Sequence, residues 1–202
     1  MKKKNGKEQE AVEEARLWRK KLLQEEEPEQ EELAYSFELE GRGLAKRYSI
    51  LKREEGEEDS KKARKVEILR TVVLKTFDKA IKYCPDMLQF LMDKMLFLRE
   101  LKNYEAMEEI CQQMIEIDHQ FFWAYFYLQE AYEGQGKAQE IIDTFYQAKE
   151  LYAGLPEIYE RAVRVFRHYE MYKEVKDILR QAKEAQVDSP YLMVKRLERM
   201  EE

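Results

Sequence analysis

The sequence predicts an all-α protein built from stacked antiparallel helix pairs, and three observations carry that expectation. A pattern returns every 34 residues: Phe77, Cys111, Phe145 and Leu179 form one column, Ala80, Met114, Ala148 and Ala182 a second, and Tyr83, Ile117, Leu151 and Ala185 a third. Within each window apolar residues recur every 3 or 4 positions around a polar break, the spacing of two short helices. Charged residues make up 39% of the 202, with only 7 Gly and 4 Pro, a profile of solvated helices and not of sheets joined by tight turns. A fixed period of this size marks units too small to bury an apolar face alone, so neighbours must stack.

Taken from the N-terminus, Ala11, Ala15, Trp18 and Leu22 step by 4, 3 and 4 and predict a first helix ending before Pro28. The stripe is too short for a convincing coiled coil and suits packing onto the body. Leu33, Phe37, Leu44, Tyr48 and Leu51 lie on one face of a second helix, interrupted by Gly41 and Gly43, a candidate hinge. Residues 1–52 are therefore read as N-terminal helices, and the charged stretch 53–65, which bears no apolar stripe, as a linker or insertion.

The repeat body is read as 66–202. Val73, Phe77, Ala80 and Tyr83, followed by Pro85, predict a helix that closes a first pair near residue 87. Windows 88–121, 122–155 and 156–189 follow. In the middle one Tyr125, Leu128 and Tyr132 belong to the first helix, Gly134-Gln135-Gly136 to the break, and Ile141, Phe145, Ala148 and Leu151 to the second helix. Pro156 and Pro190, again 34 apart, each open a first helix, where the missing N–H is an orphan donor in any case. Residues 190–202, with Leu192, Met193, Leu197 and Met200, form a capping helix that covers the end of the stack.

Composition narrows the function. A net charge of −6 opposes nonspecific binding to phosphate backbones. The longest uncharged run, Gln120 to Gln129, is ten residues, against the roughly 20 a membrane-crossing helix needs. Met1-Lys2-Lys3-Lys4 is followed by charge where a signal peptide needs an apolar core, so a cytoplasmic location is expected. Cys84 and Cys111 are too few and too far apart for a disulfide framework, and Cys111 shares a column with core residues. His119 and His168 have no partners at metal-ligand spacing, and no phosphate loop, nucleophile elbow or His-Glu metal motif occurs. No cofactor, metal or catalytic residue is assigned, and the chain is read as a non-enzyme.

The window 122–155 resembles a tetratricopeptide repeat. Tyr125 and Leu128 occupy its large apolar positions, Ala131-Tyr132 its small-plus-tyrosine pair, Gly136 its turn, and Phe145 and Ala148 its second-helix packing sites. Departures are Lys94 where the family prefers leucine, Met95, Gln129 and Val163 where it prefers a small residue, and Ala138 where Tyr104 and Tyr172 keep the aromatic. The resemblance implies a right-handed superhelical stack whose first helices line a concave groove for a partner's extended peptide or helix. Carried over by position, that groove is lined by Met92, Leu96 and Arg99, by Trp123, Phe126 and Glu130, and by Glu160, Arg164 and Arg167. The Lys, Asn and Arg clamp of chaperone-tail-binding members is missing, because Met92, Phe126 and Glu160 hold one clamp column and Leu96, Glu130 and Arg164 the other.

Two features give this groove a chemistry. Phe121, Phe122, Trp123 and Phe126 offer more large rings than one buried face takes, so at least one is expected to be exposed as an anchor. Arg161, Arg164 and Arg167, with His168 beside them, predict a basic stripe suited to carboxylate, or else a solvated face paired with Glu157, Glu160 and Glu170. The expected function is a protein–protein interaction module, an adaptor or assembly factor. A ligand- or peptide-responsive sensor hinged at Gly41 and Gly43 is the alternative, and an RNA-associated helical repeat is favoured only by the arginines and the lysine-rich ends.

Overall fold

The computed structural model describes residues 5–25, 27–53 and 60–193. Its helices are α1 (Asn5–Leu22), α2 (Gln30–Arg53), α3 (Ser60–Tyr83), α4 (Leu88–Glu100), α5 (Tyr104–Ile117), α6 (Phe122–Gln135), α7 (Ala138–Leu151), α8 (Pro156–His168) and α9 (Tyr172–Glu184). The chain divides into two compact units, Met1–Leu101 and Lys102–Glu202. First helices α4, α6 and α8 begin at Leu88, Phe122 and Pro156, one 34-residue period apart.

In the first unit α2 and α3 form an antiparallel pair. Phe37 stacks on Tyr83 with ring centroids 5.8 Å apart, while Phe77, further back along α3, lies over Gly41. Leu44, Tyr48, Val66, Val73, Phe77 and Phe97 bury one core, which Val12 of α1 completes. Val66 and Leu69 pack near Tyr48 and Leu51, which prolongs both helices to 24 residues where α4–α9 have 13 or 14. The stretch 53–65 therefore contributes helix at both of its ends, with its charged Lys61, Arg64 and Lys65 on the exposed face; residues 54–59 lie outside the described residues.

Gly41 and Gly43 depart from the hinge expectation. α2 runs unbroken through both, and both are buried. A Cβ at Gly41 would lie 2.7 Å from the Phe77 ring, and one at Gly43 2.7 Å from Val12 Cγ2. Their missing side chains let α3 and α1 approach α2 closely, so they are packing positions. The stripe of α1 differs from expectation at its first member only. Val12, Ala15 and Leu22 are buried, whereas Ala11 is exposed. Polar contacts add to this seat: Glu40 accepts from Arg16 Nε at 2.6 Å and Arg19 Nη2 at 2.5 Å, and the Arg19 guanidinium lies 3.9 Å over the Phe37 ring.

The second unit repeats its local devices. Tyr125 Oη donates to the His119 carbonyl at 3.0 Å and Tyr159 Oη to the Ala153 carbonyl at 2.9 Å, each tying a first helix to the turn before it. Phe145 packs edge-on against Tyr159 and Phe166 of α8. The break between α6 and α7 is two residues, Gly136 and Lys137: Gly136 takes the left-handed conformation at φ 71°, and Lys137 N bonds to the Tyr132 carbonyl at 3.0 Å. Gly134 is still helical, and a Cβ there would come within 2.4 Å of the Tyr104 ring. Lys102 and Glu170, one period either side of Gly136, hold the same left-handed turn at φ 55° and 57° without the benefit of glycine.

Two of the three sequence columns are core. Every member from Phe77 to Leu179 and from Ala80 to Ala182 is buried. The third is not, since Tyr83 and Ile117 are half-buried and Leu151 and Ala185 exposed. Six residues beyond the first column a helix has turned well away from the packed face, at its last turn. At the C-terminal end residues 190–193 are helical, Ser189 Oγ accepts from Leu192 N at 3.3 Å, and Leu192 is buried. Leu197 and Met200 of the expected cap lie outside the described residues.

Candidate partner-binding surface

On the second unit the groove residues form an aromatic shelf beside a basic helix. Phe122 has ring contacts to Trp123, Phe126 and Tyr152, and Trp123 to Phe126 and Tyr127, with centroids 5.2–6.0 Å apart. Phe122, Phe126 and Tyr127 of this cluster are half-buried, as is Phe121 before it. Trp123 is left 47% exposed because α6 places it one residue outside the buried Ala124-Tyr125 face. Glu130 and Glu160 are half-buried; Glu160 accepts a hydrogen bond from Ser189 Oγ.

The predicted arginine stripe separates into two roles. Residues three apart on a helix fan round it by about 60° per step, so Arg161 turns inward while Arg164 and Arg167 stay exposed. Arg161 is buried, its Nη2 3.1 Å from Glu133 Oε2 and its guanidinium 4.9 Å over the Phe126 ring. One partner is thus on α6, Glu133. The side chain holds α8 against the shelf, and the exposed cations stand three and six residues further along α8.

On the first unit Met92 is half-buried, Leu96 is 40% exposed and Arg99 is exposed. The neighbouring first helix is α2, whose Tyr35 and Leu39 are also exposed, Tyr35 standing edge-on to Phe90 of α4 at 5.1 Å. Sequence reasoning did not place Tyr35 and Leu39 here. Both lie off the Leu33–Leu51 stripe, and two apolar residues outside a buried face were the available signal.

Between those helices lies a buried acid pair. Glu38 of α2 is 3% exposed. Burial, a hydrogen bond to Asp93 of α4 and the Asp93 charge raise its pKa from the ordinary 4.5 to about 7, against the lowering effect of Arg42, whose Nη1 is 3.1 Å away. Asp93 Oδ2 is buried with no hydrogen-bond partner. Elsewhere, burial pushes the Cys111 thiol up to about 12, which makes it an inert core side chain.

Among the described residues no group of three or more His, Cys, Asp or Glu is placed to hold a metal ion, and no helix is long and apolar enough to cross a membrane.

No family model matches the sequence, and no curated protein is similar to it in sequence. Solved structures are similar in three dimensions. One is YrrB, described as a TPR protein with an unusual peptide-binding site, which matches 81% of this chain and 74% of its own length at a TM-score of 0.56 and 14% identity. Another is MamA, with 75% and 90% covered, a TM-score of 0.51 and 14% identity. A MamA RS-1 double mutant covers 87% and 94% at a TM-score of 0.50 and 15% identity. At these identities the likeness is one of fold, and with the 34-residue period and the helix pairs described above it establishes that this chain has the tetratricopeptide-repeat fold.

Proposed function

We propose that the chain is a protein–protein interaction module, an adaptor or assembly factor that holds a partner's peptide or helix against its first helices. The observation that carries this reading is Trp123, nearly half exposed at the edge of a shelf of rings whose other members are packed. A large aromatic held rigid by its neighbours and left in water is the kind of side chain that dominates binding energy when a partner covers it. Arg164 and Arg167 set a cationic rim beside it, and Glu130 and Glu160 limit how much acid the site accepts. The ligand favoured is a segment with one large apolar side chain followed by carboxylates.

The test is affinity capture from the source cell, followed by titration of the recovered partner against variants. Trp123→Ala should weaken binding by about 2 kcal/mol, the scale of an aromatic hot spot. Arg164→Ala with Arg167→Ala should mainly slow association and flatten its salt dependence. Both variants should melt as the parent does. Equal binding by both would end this reading.

A further inference from the structure

We propose that the second unit carries a separate docking site, on its second-helix side, for an acidic peptide segment seated in the cleft between α7 and α9. An open cavity of about 660 Å³ lies there, lined by Tyr146 of α7 and by the face of α9 that bears Lys173, Lys176, Arg180 and Lys183. Spacings of 3, 4 and 3 put these four cations in one row along the helix, roughly 15 Å from end to end at 1.5 Å per residue. Two uncharged side chains complete the lining: Leu179, which is buried, and Tyr146, which is 41% exposed although aromatic. None of these residues belongs to the groove on the first helices.

The sign of the charge is local to this cleft. The comparable cavity between α5 and α7 is lined by Glu116, Glu140 and Asp143 and by no cation, and the chain as a whole is net −6. A cationic row set against that field attracts an anion to one place. Two carboxylates inside the cleft decide which anion. Glu174 and Asp177 also line it, and Asp177 accepts from Arg180 and Gln181, which hold its carboxyl below the usual range. A continuous phosphate chain would meet both carboxylates head-on. A peptide spaces its acids and sets apolar side chains between them, so it can meet the cations and cover Tyr146 and Leu179 together. Arg180 is available for such an exchange at small cost, since its pairs with Asp177 and Glu184 are solvent-exposed and weak.

The experiment uses the full chain and a labelled twelve-residue peptide repeating Glu-Glu-Leu, followed by fluorescence anisotropy. Saturable binding is expected, weakened about tenfold when salt rises from about 50 to about 300 mM. Lys176→Glu with Lys183→Glu should reduce it by a further factor of about ten or more. If that pair folds poorly by circular dichroism, Lys173→Gln with Lys183→Gln should still weaken the peptide several-fold. The groove is read as accepting the same chemistry, so the titrations are made in a Trp123→Ala, Arg164→Ala, Arg167→Ala background, in which saturable binding by this cleft should persist. The proposal is overturned by absence of saturation at millimolar peptide, by equal binding to the charge variants, by loss of binding in that background, or by an oligouridylate of equal charge binding more tightly than the peptide.

Discussion

At the junction of α2 with α4 in the first unit, Glu38 is buried against Asp93; at the junction of α6 with α8 in the second, Arg161 is buried against Phe126 and Glu133. Asp93 and Arg161 stand two periods apart, so the same position of the repeat reaches back to the preceding first helix in both. In the second unit the buried charge finds an opposite charge and the face of a ring. In the first, Glu38 has Arg42 3.1 Å away on its own helix, but across the junction it finds another acid, and the junction is comfortable only while Glu38 keeps a proton. A repeat fixes where a side chain goes; the chemistry at that place is free to vary, and with it the conditions under which the junction holds.

The largest effect expected tests whether the two regions are equivalent at all. Phe77→Ala and Phe145→Ala remove the same column member from the two units and should each cost about 3–5 kcal/mol in thermal or denaturant unfolding. A silent change at either site would break the equivalence on which the comparison stands.

The next effect separates the junctions. Glu38 has a folded pKa above its unfolded value, so its contribution to stability is fully present below about pH 4.5 and is lost as pH rises through about 7. At about 1.4 kcal/mol per unit the difference is roughly 3 kcal/mol. Glu38→Gln keeps a donor for Asp93 and cannot ionise, so it should be markedly more stable than the parent at pH 8 and gain little or nothing at pH 4. Hydrogen exchange resolved by residue should place that gain in α2 and α4. A pH-independent difference between parent and Glu38→Gln would show that the acid pair does not titrate as described.

The smallest effect concerns the turns. Lys102→Gly and Glu170→Gly relieve left-handed backbone at φ 55° and 57° and should each stabilise by about 0.5 kcal/mol, what remains of the strain relief after glycine's extra chain entropy. Gly136→Ala should do the reverse by a similar or larger amount. Chemical denaturation resolves shifts of this size.

How far the sequence could be read follows from the same contrast. Columns one and two were legible because a stacked core demands constant volume at constant spacing, and Cys111 fits that rule as well as Phe145. The end of column three was not, because periodicity does not say where a helix stops facing its neighbours. Gly41 and Gly43 are ambiguous as residues, since glycine serves both to break a helix and to let another come close, and only the positions of Phe77 and Val12 decide between these. Arg161 was read as part of a stripe because its partner, Glu133, lies 28 residues earlier on another helix. An exposed ring in the run 121–126, by contrast, was legible, since one face cannot hide five large aromatics in six residues; that it is Trp123 follows from the buried Ala124-Tyr125 face beside it. The Glu38–Asp93 pair left no local trace, since each is an ordinary acid in an acidic chain.

The two glycines of α2 bear on how this protein is made. Each costs a helix interior about 1 kcal/mol relative to alanine, so α2 as an isolated segment lacks the propensity to hold its shape. It becomes a helix by being gripped, by the Phe77 ring on one side and Val12 on the other. During synthesis, then, α1 can pair with α2 as soon as both are out, but the other half of the grip is missing until α3 has emerged to residue 77, and a chain halted earlier would present Phe37, Leu44 and Tyr48 to whatever it meets.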